Sequence, residues 1–138
     1  MDFLFFVKEN PRSVIVAEDI RLLIQKDEVV DITTLGRKTG TARRIEIRLH
    51  ALDQKLYITG RPGRPRSWYA NMLASPEFTL HVKDNLVRDV ACEAIPIVEE
   101  ETRRRLFEMM LSHEVSMAHV IVDEWTMGAP LVEVVPIE

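Results

Sequence analysis

A chain of 138 residues is long enough for one hydrophobic core and too short for two ordinary domains, so residues 1–138 are expected to form a single domain. With 46% hydrophobic and 29% charged residues it resembles a folded soluble protein, and no stretch approaches the about 20 apolar residues that a membrane span needs. Its net charge of −4 argues against a general nucleic-acid binder, and its single cysteine, Cys92, excludes an internal disulfide.

The N-terminal segment, residues 1–13, combines phenylalanines with an Asn-Pro pair and is predicted to be a loose arm that docks on a partner surface. Its apolar run at 3–7 has neither a basic leader nor a small-residue cleavage site, so it does not resemble a signal peptide. We therefore expect a cytoplasmic location. A helix is predicted over residues 17–25, where Ile20, Leu23 and Ile24 recur at helical spacing.

Alternating apolar and polar residues predict three strands in the first half of the chain. They cover residues 28–35, 43–49 and 55–59. The second has the cleanest alternation, because Ile45, Ile47 and Leu49 share one face. A glycine turn separates the first strand from the second, and the third is expected to pair antiparallel with the second.

A short helix follows, for which Ser67 is the predicted N-cap and a proline marks the end. Two further strands are expected at 77–83 and 86–98, joined by a tight turn at residues 84 and 85. The apolar positions of the longer strand change face around residues 91 and 92. This change predicts a β-bulge or a strand that bends around a barrel.

An acidic-first helix is predicted at 99–111 and a final strand at 131–137, while residues 113–124 either extend the helix or form a second one. The strands are joined mainly by hairpins, with helices inserted between them. This order indicates a mainly β (α+β) fold, an antiparallel small β-barrel with peripheral helices, rather than a parallel βαβ sheet.

Positive charge is concentrated in residues 36–66, which hold nine Lys or Arg against two acids. The remaining residues hold nine against twenty, so an otherwise acidic protein carries one basic island. Because the island consists of loops and a hairpin, it suits a discrete anionic ligand. A solvated basic edge that prevents strand aggregation is the alternative.

The first loop of the island is Gly36-Arg37-Lys38-Thr39-Gly40. Its two glycines permit a backbone in which the intervening amides point at one oxyanion, and two basic side chains add charge. We therefore predict an anion site that suits phosphate. The spacing does not match a Walker A loop, which disfavours nucleotide hydrolysis of the P-loop type.

The second loop, residues 60–66, is stiffened by two prolines that aim Arg61, Arg64 and Arg66 at a carboxylate or phosphate. It runs directly into Trp68 and Tyr69, whose rings offer flat surfaces to an aromatic ligand. For Trp68, packing of the helix on the barrel is the alternative that the sequence favours.

Two linked motifs give the chain a family likeness. One is Thr33-Thr-Leu-Gly-Arg-Lys-Thr-Gly-Thr-Ala-Arg43, and the other, after a strand and a Gly-containing loop, is Trp68-Tyr-Ala-Asn-Met-Leu-Ala-Ser-Pro-Glu77. Together they resemble the deazaflavin-dependent nitroreductase family. The resemblance implies a split β-barrel related to flavin-binding domains, coenzyme F-420 as cofactor, hydride transfer to a nitro, quinone or enone acceptor, and a homodimer.

The resemblance also implies that the cofactor's phosphate and glutamate tail are held by the glycine turn and nearby bases. Thr39 stands where the family more usually has serine, and the loop that begins at Thr59 lacks the family's Ser-Lys-Gly-Gly and His-Pro elements. These departures leave FMN as the alternative cofactor, and another anionic ligand, a tetrapyrrole or a lipid, also stays open. The candidate cofactor-binding residues are Gly36, Arg37, Lys38, Thr39, Gly40, Arg43, Thr59, Gly60, Arg61, Arg64, Trp68 and Asn71.

A cofactor that carries the hydride itself requires no general acid on the protein. If a side chain delivers the accompanying proton, the candidates are Tyr57, Tyr69 and His50, each of which is more simply explained as a structural residue. The other histidines have no acidic or cysteine neighbours at ligand spacing, so no metal site is predicted.

Two further functions are compatible with the same residues. A non-catalytic carrier or sensor would bind an anionic ligand on the same barrel without turning over an acceptor. Single-stranded nucleic-acid binding would use the same arginines and aromatics, but the acidic remainder of the chain opposes it, and no nucleic-acid partner is expected.

Overall fold

The computed structural model describes residues 19–84, 86–113 and 117–137. The helices and strands in these ranges are α1 (Ile20–Leu23), β1 (Glu28–Leu35), β2 (Ala42–Leu52), β3 (Lys55–Thr59), α2 (Ser67–Ala74), β4 (Glu77–Lys83), β5 (Val87–Pro96), α3 (Glu100–His113), α4 (Val122–Gly128) and β6 (Leu131–Pro136). The predicted N-terminal arm and residue 85 of the predicted turn lie outside them. Within the described ranges, no helix has the length and apolar character needed to cross a membrane.

The strands form a closed antiparallel barrel in the order β1-β2-β3-β6-β5-β4. Hairpins join β1 to β2, β2 to β3 and β4 to β5, while β6 closes the sheet between β3 and β5. The last pairing, between β1 and β4, spans only three residue pairs. The predicted fold class, a mainly β antiparallel split barrel with peripheral helices, is confirmed.

The barrel interior is one apolar cluster to which all six strands contribute. The residues that alternate inward, such as Val30, Ile32 and Leu80, have no exposed surface. Trp68 and Met72 of α2 belong to the same cluster, which attaches this helix to the barrel. The cluster also contains the free cysteine, Cys92, as expected for a small buried hydrophobe.

A second apolar cluster joins α3 and α4 to the barrel. Leu106, Phe107 and Met110 of α3 form its helical side, because they recur at the spacing that places residues on one face of a helix. The ring of Phe107 meets Trp125 of α4 edge-on, with centroids 5.7 Å apart. This cluster fixes the position of the segment that connects α4 to β6.

The predicted boundaries agree with the structure for three strands of the barrel. Strands β1, β3 and β4 have the predicted limits, and β2 is longer than predicted. Within the described residues, the helix predicted at 17–25 is observed as Ile20–Leu23, because Ile24 already has an extended backbone. Of the ambiguous segment at 113–124, His113 ends α3, residues 122–124 begin the separate helix α4, and residues 114–116 lie outside the described ranges.

Of the two alternatives predicted for β5, the β-bulge is wrong, whereas a strand of a barrel is what the structure shows, since β5 pairs with β4 on one side and β6 on the other in the closed sheet. β5 pairs with β4 in one unbroken register, and its side chains alternate between inward and outward along the whole strand. The pattern misled because apolar Val87 and Ala91 point to solvent, Val87 being 81% exposed. The predicted N-cap is also wrong, since Arg66 occupies that position, its side chain makes no capping bond to the helix, and Ser67 is the first helical residue.

Candidate active site

The glycine turn between β1 and β2 is closed by its own backbone. The amide of Gly36 donates to Thr41 O at 2.8 Å, and the amide of Gly40 donates to Gly36 O at 2.7 Å. Gly40 has a φ of 72°, a left-handed conformation that favours glycine. Thr39 Oγ1 accepts from the amide of Thr41 at 3.2 Å, so this hydroxyl also serves the turn.

Asn71 ties this turn to α2. Its side chain is 2% exposed, its Nδ2 donates to Thr34 Oγ1 at 3.0 Å, and its Oδ1 accepts from the amide of Arg37 at 3.1 Å. The predicted anion nest is therefore smaller than expected, because the Arg37 amide is already used. Within the described part of the chain, only the amides of Lys38 and Thr39 remain in this loop without a protein acceptor.

The second basic loop, residues 60–66, is packed against its surroundings at both ends. Thr59 Oγ1 donates to Pro130 O at 2.6 Å, which joins the end of β3 to the segment before β6. A side chain on Gly60 would lie 3.3 Å from the guanidinium of Arg66, so the glycine leaves room for that arginine. The loop also reaches α4, where a Cβ on Gly128 would lie 3.2 Å from Pro62.

These contacts enclose a cavity of about 630 Å³ between the second loop, α2 and the α4–β6 segment. Its volume lies in the usual range for a small-molecule or cofactor site. The cavity is lined by Arg37, Arg64, Pro65, Arg66, Ser67, Tyr69, Ala70, Leu73, Val98, Glu100, Arg103, Thr126, Met127, Gly128, Ala129 and Pro130.

One side of the cavity is cationic. Arg37, Arg64 and Arg66 line it beside Ser67, the first residue of α2. No side chain caps this helix, and its first intrahelical bond is donated by Ala70, so the amides that precede Ala70 are open to a ligand. Arg66 Nε is buried and has no hydrogen-bond partner within the described residues. Charge and open amides thus favour an anion here.

Other lining residues are apolar and exposed. Leu73, Val98 and Met127 line the cavity with 54%, 77% and 73% of their surface in contact with solvent. Tyr69 also lines the cavity, and its ring meets that of Trp68 edge-on at 5.8 Å. The cavity therefore offers cationic groups for an anion and apolar surface that a ring can cover.

Arg103 of α3 forms part of the wall and was not predicted. Its guanidinium donates to Thr126 O at 2.7 Å, Ile97 O at 2.8 Å and Trp125 O at 3.0 Å, and also to Ala129 O. These bonds hold the α4–β6 segment that lines the cavity. Burial lowers the pKa of Arg103, and the hydroxyl of Tyr69 opposes this shift.

The predicted cofactor-binding residues divide into two groups. Arg37 and Arg64 line the cavity, as does the predicted proton donor Tyr69. The others do not line it, and several are explained by internal contacts. They are Gly36, Lys38, Thr39, Gly40, Arg43, Thr59, Gly60, Arg61, Trp68 and Asn71.

The remaining two proton-donor candidates lie away from the cavity. His50 is buried with its Nδ1 2.7 Å from Asp27 Oδ2, and Asp27 Oδ1 also accepts from the amide of Ala51. Tyr57 is part of the cluster under α3, and burial raises its pKa. Both residues have structural surroundings. The described ranges contain no group of three or more His, Cys, Asp or Glu residues that could hold a metal.

A sequence signal for Arg103 exists in the helical periodicity. It lies three, four and seven residues before Leu106, Phe107 and Met110, on the buried face of α3. This signal is easily overlooked, because Arg103 is the first of three consecutive arginines and such a run is normally read as solvent-exposed. No local sequence pattern indicates that the α4–β6 segment lines the cavity, because the segment reaches that position only when β6 closes the barrel.

The barrel places the protein in a structural class with known members. A chain described as a domain-swapped dimer matches with a TM-score of 0.55 and 19% identity, covering 96% of this chain and 99% of that one. An F420-H2 dependent reductase (FDR-A) matches with a TM-score of 0.53 and 23% identity over 77% of this chain and 92% of its own. A NimC/NimA family protein from Clostridium acetobutylicum matches with a TM-score of 0.53 and 15% identity, over 78% and 69%.

These similarities show the split-barrel fold. The chain belongs to the F420H(2)-dependent quinone reductase family, whose model matches residues 5–124. No curated protein matches the sequence. The protein is thus an oxidoreductase that uses coenzyme F-420 as its hydride-transferring cofactor, as the sequence resemblance implied.

Proposed function

We propose that residues 1–138 form one domain whose cavity holds F-420 at its cationic side and presents it to a quinone acceptor. The observation that carries this proposal is that Arg37, Arg64, Arg66 and the first residue of α2 line one cavity, which apolar side chains also line. Nitroaromatic compounds and enones are further proposed acceptors, because they accept a hydride at carbon or nitrogen in the same way.

The residues present fit the chemistry of this cofactor. Phosphate and glutamate groups are anions that guanidinium groups and helix N-terminal amides bind well. The buried Nε of Arg66, which has no partner within the described residues, indicates a guanidinium whose hydrogen bonds are completed by a ligand. A flat ring system suits the surface of Leu73 and Met127.

The protein's contribution is binding, orientation and exclusion of water. Reduced F-420, when bound, supplies the hydride. Arg64 and Arg66 hold the anionic end, and Asn71 keeps Arg37 at the cavity through its backbone amide. Tyr69 is the proposed proton donor to the acceptor, because it lines the cavity and the other two predicted donors do not.

Fluorescence titration of the purified protein with F-420 and with FMN tests the proposed site. We expect F-420 to bind with a Kd of about 1 µM or lower and FMN, the alternative cofactor, to bind more weakly. Steady-state assays with menadione, a nitroaromatic compound and an enone then compare the acceptors. The proposal fails if F-420 does not bind, and F-420 binding without turnover of any acceptor supports a carrier instead.

A homodimer and a cytoplasmic location are also proposed. The dimer is supported by exposed apolar residues at the turn end of the β1–β2 hairpin, Leu35 and Ile45, and by the similar chain described as a domain-swapped dimer. The location is supported by the free, buried thiol of Cys92. Light scattering coupled to size exclusion tests the first, and cell fractionation tests the second.

A further inference from the structure

Arg103 carries a buried positive charge that no acid among the described residues neutralises. It is 8% exposed, and its four hydrogen bonds all go to backbone carbonyl groups. Glu100 lines the same cavity, but its carboxylate pairs with Arg104 at 3.5 Å. Within the described residues, no carboxylate lies within ion-pair distance of Arg103. Buried charges in proteins are normally paired, so this arrangement calls for an anionic partner in the cavity.

The geometry leaves one donor for that partner. A guanidinium has five N–H groups, of which one belongs to Nε and two to each terminal nitrogen. Nε serves Thr126, and one terminal nitrogen serves both Trp125 and Ala129. The other terminal nitrogen serves Ile97 alone, which leaves one of its N–H groups unused within the described residues.

The surroundings strengthen the field of this charge. Val98 and Met127 line the cavity beside Arg103, and the guanidinium carbon lies 5.7 Å from the centre of the Phe107 ring. Arg103 itself is only 8% exposed, so its charge is poorly screened by water, and the four carbonyl bonds prevent the guanidinium from reorienting. A fixed charge in such a place stabilises negative charge that develops during a reaction.

We propose that Arg103 stabilises the oxyanion that forms on the acceptor's carbonyl oxygen during reduction, and that it selects for quinone and enone acceptors over acceptors without such an oxygen. This inference rests on the proposed function. A hydride added to carbon of a quinone or enone forms a C–H bond and leaves an electron pair on the carbonyl oxygen. Tyr69, in the same wall, donates the proton that converts this oxyanion into the hydroxyl or enol product.

Binding of para-nitrophenol tests the proposal without turnover, because its ionised form imitates the oxyanion and is coloured. The probe is added to protein loaded with oxidised F-420 and to cofactor-free protein, and its absorbance is followed against pH. We expect it to compete with menadione and its pKa to fall by about one pH unit or more on binding. Failure to compete, or binding without preference for the ionised form, overturns the proposal even if every variant fails to fold.

Three variants distinguish the effect of the charge of Arg103 from the effect of its hydrogen bonds to the α4–β6 segment. Arg103→Met removes the charge and the carbonyl bonds, Arg103→Lys keeps the charge with fewer bonds, and Arg105→Gln is the control, because Arg105 is an exposed residue of the same helix. We expect Arg103→Met to lose the effect on para-nitrophenol and about 100-fold in kcat with menadione at saturating F-420, a larger loss than its change in F-420 affinity. Arg103→Lys should retain part of the para-nitrophenol effect and of kcat, and Arg105→Gln should retain both in full.

The outcomes also distinguish this inference from the proposed function. If the unaltered protein does not bind F-420, the proposed function is wrong, whereas the measurement of para-nitrophenol on cofactor-free protein still tests the role of Arg103. If Arg103→Lys and Arg103→Met lose kcat to the same extent and F-420 affinity to the same extent, Arg103 only holds the α4–β6 segment in place and the proposal is wrong.

Discussion

Replacing Asn71 with alanine tests whether one buried side chain sets both the stability of the barrel and the affinity for cofactor. Asn71→Ala removes the bond from Nδ2 to Thr34 Oγ1 and two bonds to Oδ1, one from the Arg37 amide and a long one of 3.5 Å from Arg37 Nη1. The Thr34 hydroxyl is buried and loses this donor, whereas the two donors of Arg37 lie at the surface and are rehydrated. The lost bonds and one poorly satisfied hydroxyl cost about 2–4 kcal/mol of unfolding free energy.

Urea denaturation followed by circular dichroism measures that loss, and fluorescence titration measures F-420 affinity. We expect Asn71→Ala also to bind F-420 about tenfold more weakly, because Arg37 is no longer held at the cavity. Thr34→Val is the matched control, since it removes only the partner of Nδ2. It should cost about 1–2 kcal/mol and leave F-420 affinity unchanged. A cost below about 0.5 kcal/mol for Asn71→Ala, or an equal loss of affinity in both variants, refutes this reasoning.

Two other substitutions probe the cavity wall and a buried acid. Gly128→Ala forces Pro62 away by a few tenths of an ångström. We therefore expect this variant to bind F-420 more weakly and to lose about 1 kcal/mol of unfolding free energy. Unchanged F-420 binding in a titration would show that the loop does not depend on this contact. Burial raises the pKa of Glu28, whose Oε1 has no partner within the described residues. Because the pKa of Glu28 is higher in the folded than in the unfolded state, its contribution to stability is full below the unfolded pKa and is lost as pH rises through the folded pKa. Glu28→Gln, which removes the ionisable group, should therefore stabilise the protein by about 1 kcal/mol at pH 7 and not at pH 4. Thermal melts at both pH values check this, and equal effects at the two would contradict it.

The barrel could be predicted from the sequence because the residues on its inner surface are apolar and most of those on its outer surface are polar. Val30, Ile32 and Leu80 alternate with polar residues, and a one-residue slip would expose all of them. The same rule failed in β5, where Val87 and Ala91 face solvent and small Cys92 faces the core. Alternation therefore predicts a strand well only when its outward residues are polar.

The candidate site was predicted in part. Arg37 and Arg64 were found from local charge and glycine or proline neighbours, which are visible in the sequence. The reduced capacity of the glycine turn was not visible, because the acceptor for the Arg37 amide is Asn71, 34 residues further along the chain. Arg103 was missed for a related reason, since the carbonyl groups that it binds are brought to it only by the folding of α4 and β6.

The central claim is that the second basic loop binds the anionic part of F-420 through Arg64 and Arg66, the two arginines of the loop that line the cavity. Arg64 and Arg61 provide a matched pair, because both are exposed in the same loop and only Arg64 lines the cavity. Fluorescence titration at constant salt should show Arg64→Ala binding F-420 about tenfold more weakly and Arg61→Ala changing the Kd by less than about twofold, with unchanged melting temperatures. Equal losses in the two variants, or no loss in Arg64→Ala, would contradict the proposed site.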